Sequence, residues 1–413
     1  MAIASVQPRA SLASSRVVSM PTRRDSILDA VRGLCLVLMT INHLPGNRFQ
    51  RFTYQSLGFV SAFEVFVFLS GLVTVWVYGT VWDRWGLIAF SRRLARGAWR
   101  IYAVSMSATL FLVLLTLIGG SRFSAWRPLV IIGHSNVWSL LISVVTFRHT
   151  IAWISILRFY CWLLCLIPGI LFLLRRGRER LLLALSVTIW GGLQIYVARH
   201  GYAESGQMFV SLLQLACWQL LYVLGSILGY RRVVSAPTLV PKCKPLVPIF
   251  VAIAAVLFLL RQEFPFAIPG AHAFLARHAW LADKQTLGPL RLLDFVVLLA
   301  LVALVVQKLG PKIKRLFVYP PLEFLGQHSI YVYVWSMGTT YLGFLFQTQW
   351  HALGMPQQSA WILLAVLSLW VPAGLHSWCV KSRQDVDADH QRSPRPVLTI
   401  RTLDCDWAEV RTR

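Results

Sequence analysis

Apolar positions in this chain run unbroken for about 20 residues at a time, the length needed to cross roughly 30 Å of hydrocarbon as a helix. Such runs fall at 26–45, 57–79, 97–119, 152–174, 180–198, 208–230, 246–263, 290–308, 325–347 and 359–381. The pattern predicts an all-α, polytopic integral membrane protein with about ten transmembrane helices. One further apolar run, 129–146, is interrupted by Gly133-His134-Ser135-Asn136 and reads as re-entrant or interfacial.

Composition supports that class. Hydrophobic residues make up 57% of the 413 positions and charged ones only 14%, more apolar than a soluble core requires. Basic residues gather in alternate loops: Arg23 and Arg24, then Arg92, Arg93 and Arg96, then Arg175, Arg176 and Arg178, then Arg231 and Arg232, then Lys312 and Lys314. Cytoplasmic loops collect Lys and Arg, so the spacing predicts ten spans with both termini cytoplasmic. Spanning by 129–146 would put 175–180 and 308–315 outside.

The formal charge of +24 therefore reads as topology and contact with anionic lipid. Nucleic acid is a poor partner, because the basic clusters are short and lie beside membrane segments. Residues 1–22 are polar and lack the apolar core of a cleaved signal peptide, and 382–413 are polar as well. Both are expected to be disordered cytoplasmic tails around one membrane domain, 23–381. The seven cysteines have no metal-ligand spacing, so neither a metal site nor a disulfide is expected.

Against this background a few charges stand out, since ionisable groups in lipid-embedded segments are costly and are usually kept for binding or chemistry. The first span carries Asp29, Arg32 and His43. Eleven residues at 100° and 1.5 Å each return to within about 20° of the same face, about 16 Å further on. One face thus presents Arg32 near the cytoplasm and His43 near the outer end. Asp29, one turn before Arg32, can pair with it, and an ordinary ion pair at a helix entrance is the alternative. A capping or interfacial histidine is the alternative for His43. Glu64 lies among Phe63, Val65, Phe66 and Phe68 and needs a partner. His43, across a short external loop, is the expected one, which would make a carboxylate-held general base; a backbone partner or Arg48 is the other reading.

These residues resemble the OpgC family, membrane proteins associated with succinylation of osmoregulated periplasmic glucans. The resemblance rests on Arg24-Asp25, Asp29-Ala30-Val31-Arg32-Gly33, Asn42-His43-Leu44-Pro45, the stretch from Gly58 to Gly79, Trp218-Gln219 with Gly225, Asp283-Lys284-Gln285-Thr286-Leu287-Gly288-Pro289-Leu290-Arg291, and Gly326-Gln327-His328-Ser329. That family is grouped with the acyltransferase-3-like membrane enzymes, whose first span carries an Arg and a His at the spacing of Arg32 and His43. Three positions depart from the family pattern. Ser61 stands where an acidic residue is expected, Ser155-Ile156-Leu157-Arg158-Phe159-Tyr160 replaces an Asp-Ile-Leu-Pro-Leu-Tyr motif, and Asp294 replaces a His.

The resemblance implies a multi-pass protein of the bacterial inner membrane that transfers an acyl group, succinyl in the family, from cytoplasmic acyl-CoA to hydroxyls of a periplasmic glucan. Acyl-CoA would be a co-substrate, with no bound cofactor. In that chemistry His43 is the general base, and Arg32 with the inner basic residues holds CoA phosphates. Arg291, three residues from Asp294, offers a cation for a succinyl carboxylate, or else the two form a buried structural pair. His328 lies at the inner end of the ninth span, against CoA or the interface. A transporter or flippase and a glycan-binding assembly partner are the competing classes; inverted repeats of the kind carriers often show are absent from the sequence.

Overall fold

The computed structural model describes residues 25–44, 47–53, 58–119, 126, 130, 136–146, 151, 154–202, 207–234, 246–262, 270–316, 319–345 and 354–392. All regular structure among them is helical: α1 (Ser26–His43), a 3-10 turn (Arg48–Phe52), α2 (Ala62–Gly119), α3 (Val137–Val145), α4 (Ser155–Arg175), α5 (Glu179–His200), α6 (Gln207–Val234), α7 (Val247–Arg261), α8 (Ala271–Arg277), α9 (Pro289–Ile313), α10 (Tyr319–Gln327), α11 (Ser329–Leu345), α12 (Met355–Leu367) and α13 (Trp370–Arg392).

Seven helices among the described residues are long and apolar enough to cross a membrane. The ten expected spans map onto the structure unevenly. The 58 residues of α2 are interrupted at Gly86, whose φ of 76° and ψ of −178° lie outside the helical region. A straight helix of that length would be about 87 Å long, nearly three times a hydrocarbon core. Gly86 divides it into two arms, 62–85 and 87–119, which carry the expected spans 57–79 and 97–119. The expected span 246–263 is the 15-residue α7, and 325–347 is broken at His328 into α10 and the 17-residue α11. Within the run 129–146 the described residues include the nine-residue α3, itself too short to span, while 129 and 131–135 lie outside the described residues. The last helix continues past Lys381 to Arg392; residues 1–24 and 393–413, where most of the expected tails lie, are outside the described residues.

Two buried clusters organise the bundle. One joins the first arm of α2 to α4, α6 and α9 through Phe63, Phe68, Leu163, Trp218, Leu221 and Phe295. The other joins α1 and the second arm of α2 to α11 and α13 through Leu36, Met39, Val113, Val332, Tyr341 and Ala373. Phe111, Ile118, Ile195 and Leu364 point outward and are exposed, as lipid-facing positions are.

Close helix contact depends on small residues, because apolar burial gives little drive between helices in lipid. A Cβ on Gly225 would collide with the Phe68 carbonyl, one on Gly229 with that of Leu72, and one on Gly71 with that of Tyr222, so α2 and α6 touch backbone to backbone. The same contact binds α1 to α10: a Cβ on Gly33 would strike Leu322 O, and one on Gly326 would strike Asp29 O. That second contact fixes Asp29 and Arg32 beside Gln327 and His328.

Candidate functional site

Polar groups concentrate at two ends of α1. At the inner end, Asp25 caps the helix by accepting from Ile27 N (3.0 Å) and Leu28 N (3.4 Å). One turn on, Arg32 Nη1 lies 3.8 Å from Asp29 Oδ1. The expected pair therefore forms, and it lines a cavity of about 490 Å³ together with Arg93, Arg100, His328 and His376. His328 Nδ1 is 2.7 Å from His376 Nδ1, and the His376 ring stacks on Tyr331 at 4.3 Å. Spacing along the chain gives no hint of this pair, since 48 residues separate its members. Arg93 and Arg100 belong to the basic run after Gly86, whose composition does not say what it faces.

A second, narrower cavity of about 150 Å³ has mostly apolar walls, among them Met39, Phe63, Phe66, Ile156 and Leu157. Arg32, Ser329 and Ile330 line both cavities. The narrow one follows α1 from Arg32 to Met39, one turn short of His43.

His43 closes α1 and is half buried. The last carbonyls of the helix are held by side chains from the following 3-10 turn. Asn47 Nδ2 donates to Ile41 O and, at 3.0 Å, to Leu44 O. Gln50 Nε2 donates to Asn42 O (2.9 Å) and Leu44 O (3.2 Å), and Thr53 Oγ1 donates to Asn42 Oδ1 (2.7 Å). A helix C-terminus leaves four carbonyls without intrahelical donors, and this network supplies donors to those of Ile41 and Asn42 and to the capping Leu44. It is the support for His43 that sequence reasoning missed.

Glu64 does not meet His43. Helix α2 begins at Ala62, so Glu64 lies in the first turn of that apolar helix. Its carboxylate accepts from Ser61 N (2.8 Å) and from Ser61 Oγ, and Oε1 lies 3.2 Å from Arg291 Nη1. Ser61-Ala62-Phe63-Glu64 is an S-x-x-E start signal, in which the glutamate at the third helical position reaches back to the capping residue's N–H. The departure from the family pattern at Ser61 is thus part of the carboxylate's own support, and the S-x-x-E spacing was the clue in the sequence. A carboxylate in a first turn is also favoured by the helix dipole.

Arg291 and Asp294 fasten the same junction from α9. Arg291 Nη1 donates to Phe59 O, while Asp294 Oδ2 accepts from Phe59 N (2.7 Å) and Val60 N (3.1 Å). Arg291 is 8% exposed and Glu64 0%. Arg291 thus meets Glu64 and a backbone carbonyl through Nη1, while its buried Nε has no hydrogen-bond partner among the described residues. Asp294 grips two N–H groups of the segment before α2, in addition to any attraction from Arg291.

Near this junction lies Lys284, in the loop before α9. It is exposed by surface area, yet protein packed around its ammonium lowers its pKa by desolvation; Glu64 opposes that effect and Arg291 adds to it. Its charge also reaches His43.

These features define a polytopic helical membrane protein with a cationic cavity at the N-terminal end of α1, a narrower apolar cavity that shares Arg32 with it, and a histidine at the other end of the same helix. A family model described as OpgC protein matches residues 24–381, and the chain belongs to that family. No curated protein and no solved structure matches it. Membership implies an acyltransferase role connected with osmoregulated periplasmic glucans.

Proposed function

We propose that this protein moves an acyl group, succinyl by family, from a cytoplasmic acyl-CoA to a hydroxyl of a periplasmic glucan, at His43. The observation that carries the reading is the pair of cavities sharing Arg32. The inner one has the volume of a small-molecule site and basic side chains along its wall. Phosphates of the CoA head suit Arg32, Arg93 and Arg100, since guanidinium groups bind phosphate oxygens in pairs. His328 and His376 add imidazole nitrogens to the same wall. The narrow cavity suits an extended pantetheine arm, which would bring the thioester past Met39 toward His43.

The reaction then needs one base. The acceptor hydroxyl gives its proton to His43 as its oxygen bonds to the thioester carbonyl carbon. The tetrahedral intermediate collapses by breaking the C–S bond, and the proton on His43 passes to the leaving sulfur. An ester and free CoA thiol result, with His43 neutral again. An imidazole can both take and return a proton at one nitrogen, which is what this cycle asks of His43. Glu64 and Asp294 serve with Arg291 as the brace that sets α2 against α9 beside the reacting groups.

In this reading the inner cavity faces the cytoplasm and His43 the periplasm, in agreement with the basic inner loops. The test is thiol release from succinyl-CoA by detergent-purified protein, with and without periplasmic glucan, followed by mass spectrometry of the glucan. Acceptor-dependent thiol release with a succinyl mass increment supports the reading. Glucan that remains unmodified while being moved across vesicles would favour the transporter class instead.

A further inference from the structure

The narrow cavity runs along the helices rather than across them. Arg32 and Met39 of α1 line it, with Phe63 and Ser70 of α2 and Ile156 and Tyr160 of α4, and each pair is spaced so as to share one helix face. Seven residues at 1.5 Å place its ends about 10 Å apart along α1. Arg32 also lines the wide cavity, as does Val73, three residues past Ser70 on α2. Arg32 and Ser70 therefore mark the end nearest the wide cavity, and Met39 and Phe63 the end toward His43.

Tyr160 stands apart in these walls. Its hydroxyl is buried and has no hydrogen-bond partner among the described residues, although Ser70, which lines the same cavity, is near enough to influence it. Buried tyrosine hydroxyls ordinarily find a partner, and leaving one unmet is destabilising. A phenylalanine would fill the same space without that cost, so packing gives no reason for the oxygen. In a mostly apolar site, one or two placed polar groups are what fix a ligand's register.

We infer that Tyr160 recognises the donor's carrier arm, its hydroxyl donating to an amide carbonyl of the chain that bears the acyl thioester. The inference rests on the acyl-transfer reading and names the carrier within it: a thioester on an arm that contains secondary amides, as pantetheine does, and not an acyl phosphate or a lipid ester. A purely hydrocarbon chain would suit the apolar walls and leave the Tyr160 oxygen unmet. An amide meets it, and Ser70 offers an acceptor for the amide N–H. Register follows from that contact, since a held amide sets how far the thioester extends past Met39.

The experiment follows thiol release by the full-length purified protein and by Tyr160→Phe, with thermal unfolding measured on both. Donors are succinyl-CoA and two analogues, each with one of the two pantetheine amides replaced by methylenes. In Tyr160→Phe, kcat/KM for succinyl-CoA should fall about three- to tenfold, the range of one neutral hydrogen bond. One analogue should be used by wild type as poorly as Tyr160→Phe uses succinyl-CoA, and should lose nothing further in the variant, because the contact is already gone. The unfolding temperature should hold or rise, since the fold gives the hydroxyl no partner. An unchanged kcat/KM for succinyl-CoA, or equal falls with all three donors, would overturn the inference. A clear drop in unfolding temperature would assign the hydroxyl a structural partner and overturn it too. Wild-type protein that releases thiol from none of the donors would overturn the acyl-transfer reading, and this inference with it.

Discussion

Glu64 Oε1 and Arg291 Nη1 lie 3.2 Å apart in the interior, joining the first turn of α2 to the first turn of α9. Removing one member of such a pair leaves the other buried and uncompensated, at a cost of about 3–5 kcal/mol. Glu64→Gln should therefore lower the thermal stability of the detergent-purified protein markedly. Pairing it with Arg291→Met, which removes the orphaned cation, should recover part of the loss. Equal stability of Glu64→Gln and wild type would contradict the brace.

The α1–α10 contact gives a steric prediction. Gly326→Ala forces a Cβ into the Asp29 carbonyl, a backbone atom that cannot swing away. Overpacking typically costs about 1–3 kcal/mol, and the displacement also moves Arg32 within the donor cavity. Lower yield of monodisperse protein and a raised requirement for acyl-CoA are expected together. Gly338→Ala, where a Cβ meets nothing within 4 Å, is the control and should behave as wild type.

The network below α1 predicts a defect in turnover rather than binding. Asn47→Ala removes two hydrogen bonds from the helix's last carbonyls, and leaving buried acceptors unmet costs about 1–3 kcal/mol. His43 loses its fixed position, and a small misplacement of a reacting group can cost about 10²-fold in rate. We expect kcat to fall with little change in the KM for acyl-CoA. A change confined to KM would show that the network serves donor binding.

Donor binding is assigned to Arg32. Arg32→Lys keeps the charge but loses the paired donors, so KM for acyl-CoA should rise while KM for the acceptor stays within about twofold. Arg32→Ala should raise it further. Donor dependence unchanged in Arg32→Ala would reduce Arg32 to the structural partner of Asp29.

The membrane class was legible because repeated unbroken apolar runs of bilayer length have no use in a soluble fold; the break at Gly86 was not, since a glycine within a helical run does not by itself announce a turn. The first helix was legible because eleven residues nearly complete whole turns, so Arg32 and His43 share a face by geometry alone. Glu64 was misread for a local reason: placed inside a span, it needed His43, whereas the S-x-x-E start puts it in a first turn beside Ser61. The pairings Glu64–Arg291 and His328–His376 join distant parts of the chain, which no helical period relates. The run from Asp283 to Arg291 is visible in the sequence, but its anchoring by side-chain donors on α5 and α6 exists only in the folded chain.

The central claim is that His43 is the base of an acyl transfer, and thiol release by His43→Ala tests it most directly. With succinyl-CoA and glucan in excess, and with folding checked by thermal unfolding, transfer should fall by about 10²–10⁴-fold while the protein stays inserted and as stable as wild type within about 1 kcal/mol. Retention of more than about a tenth of wild-type transfer by folded His43→Ala would contradict the account.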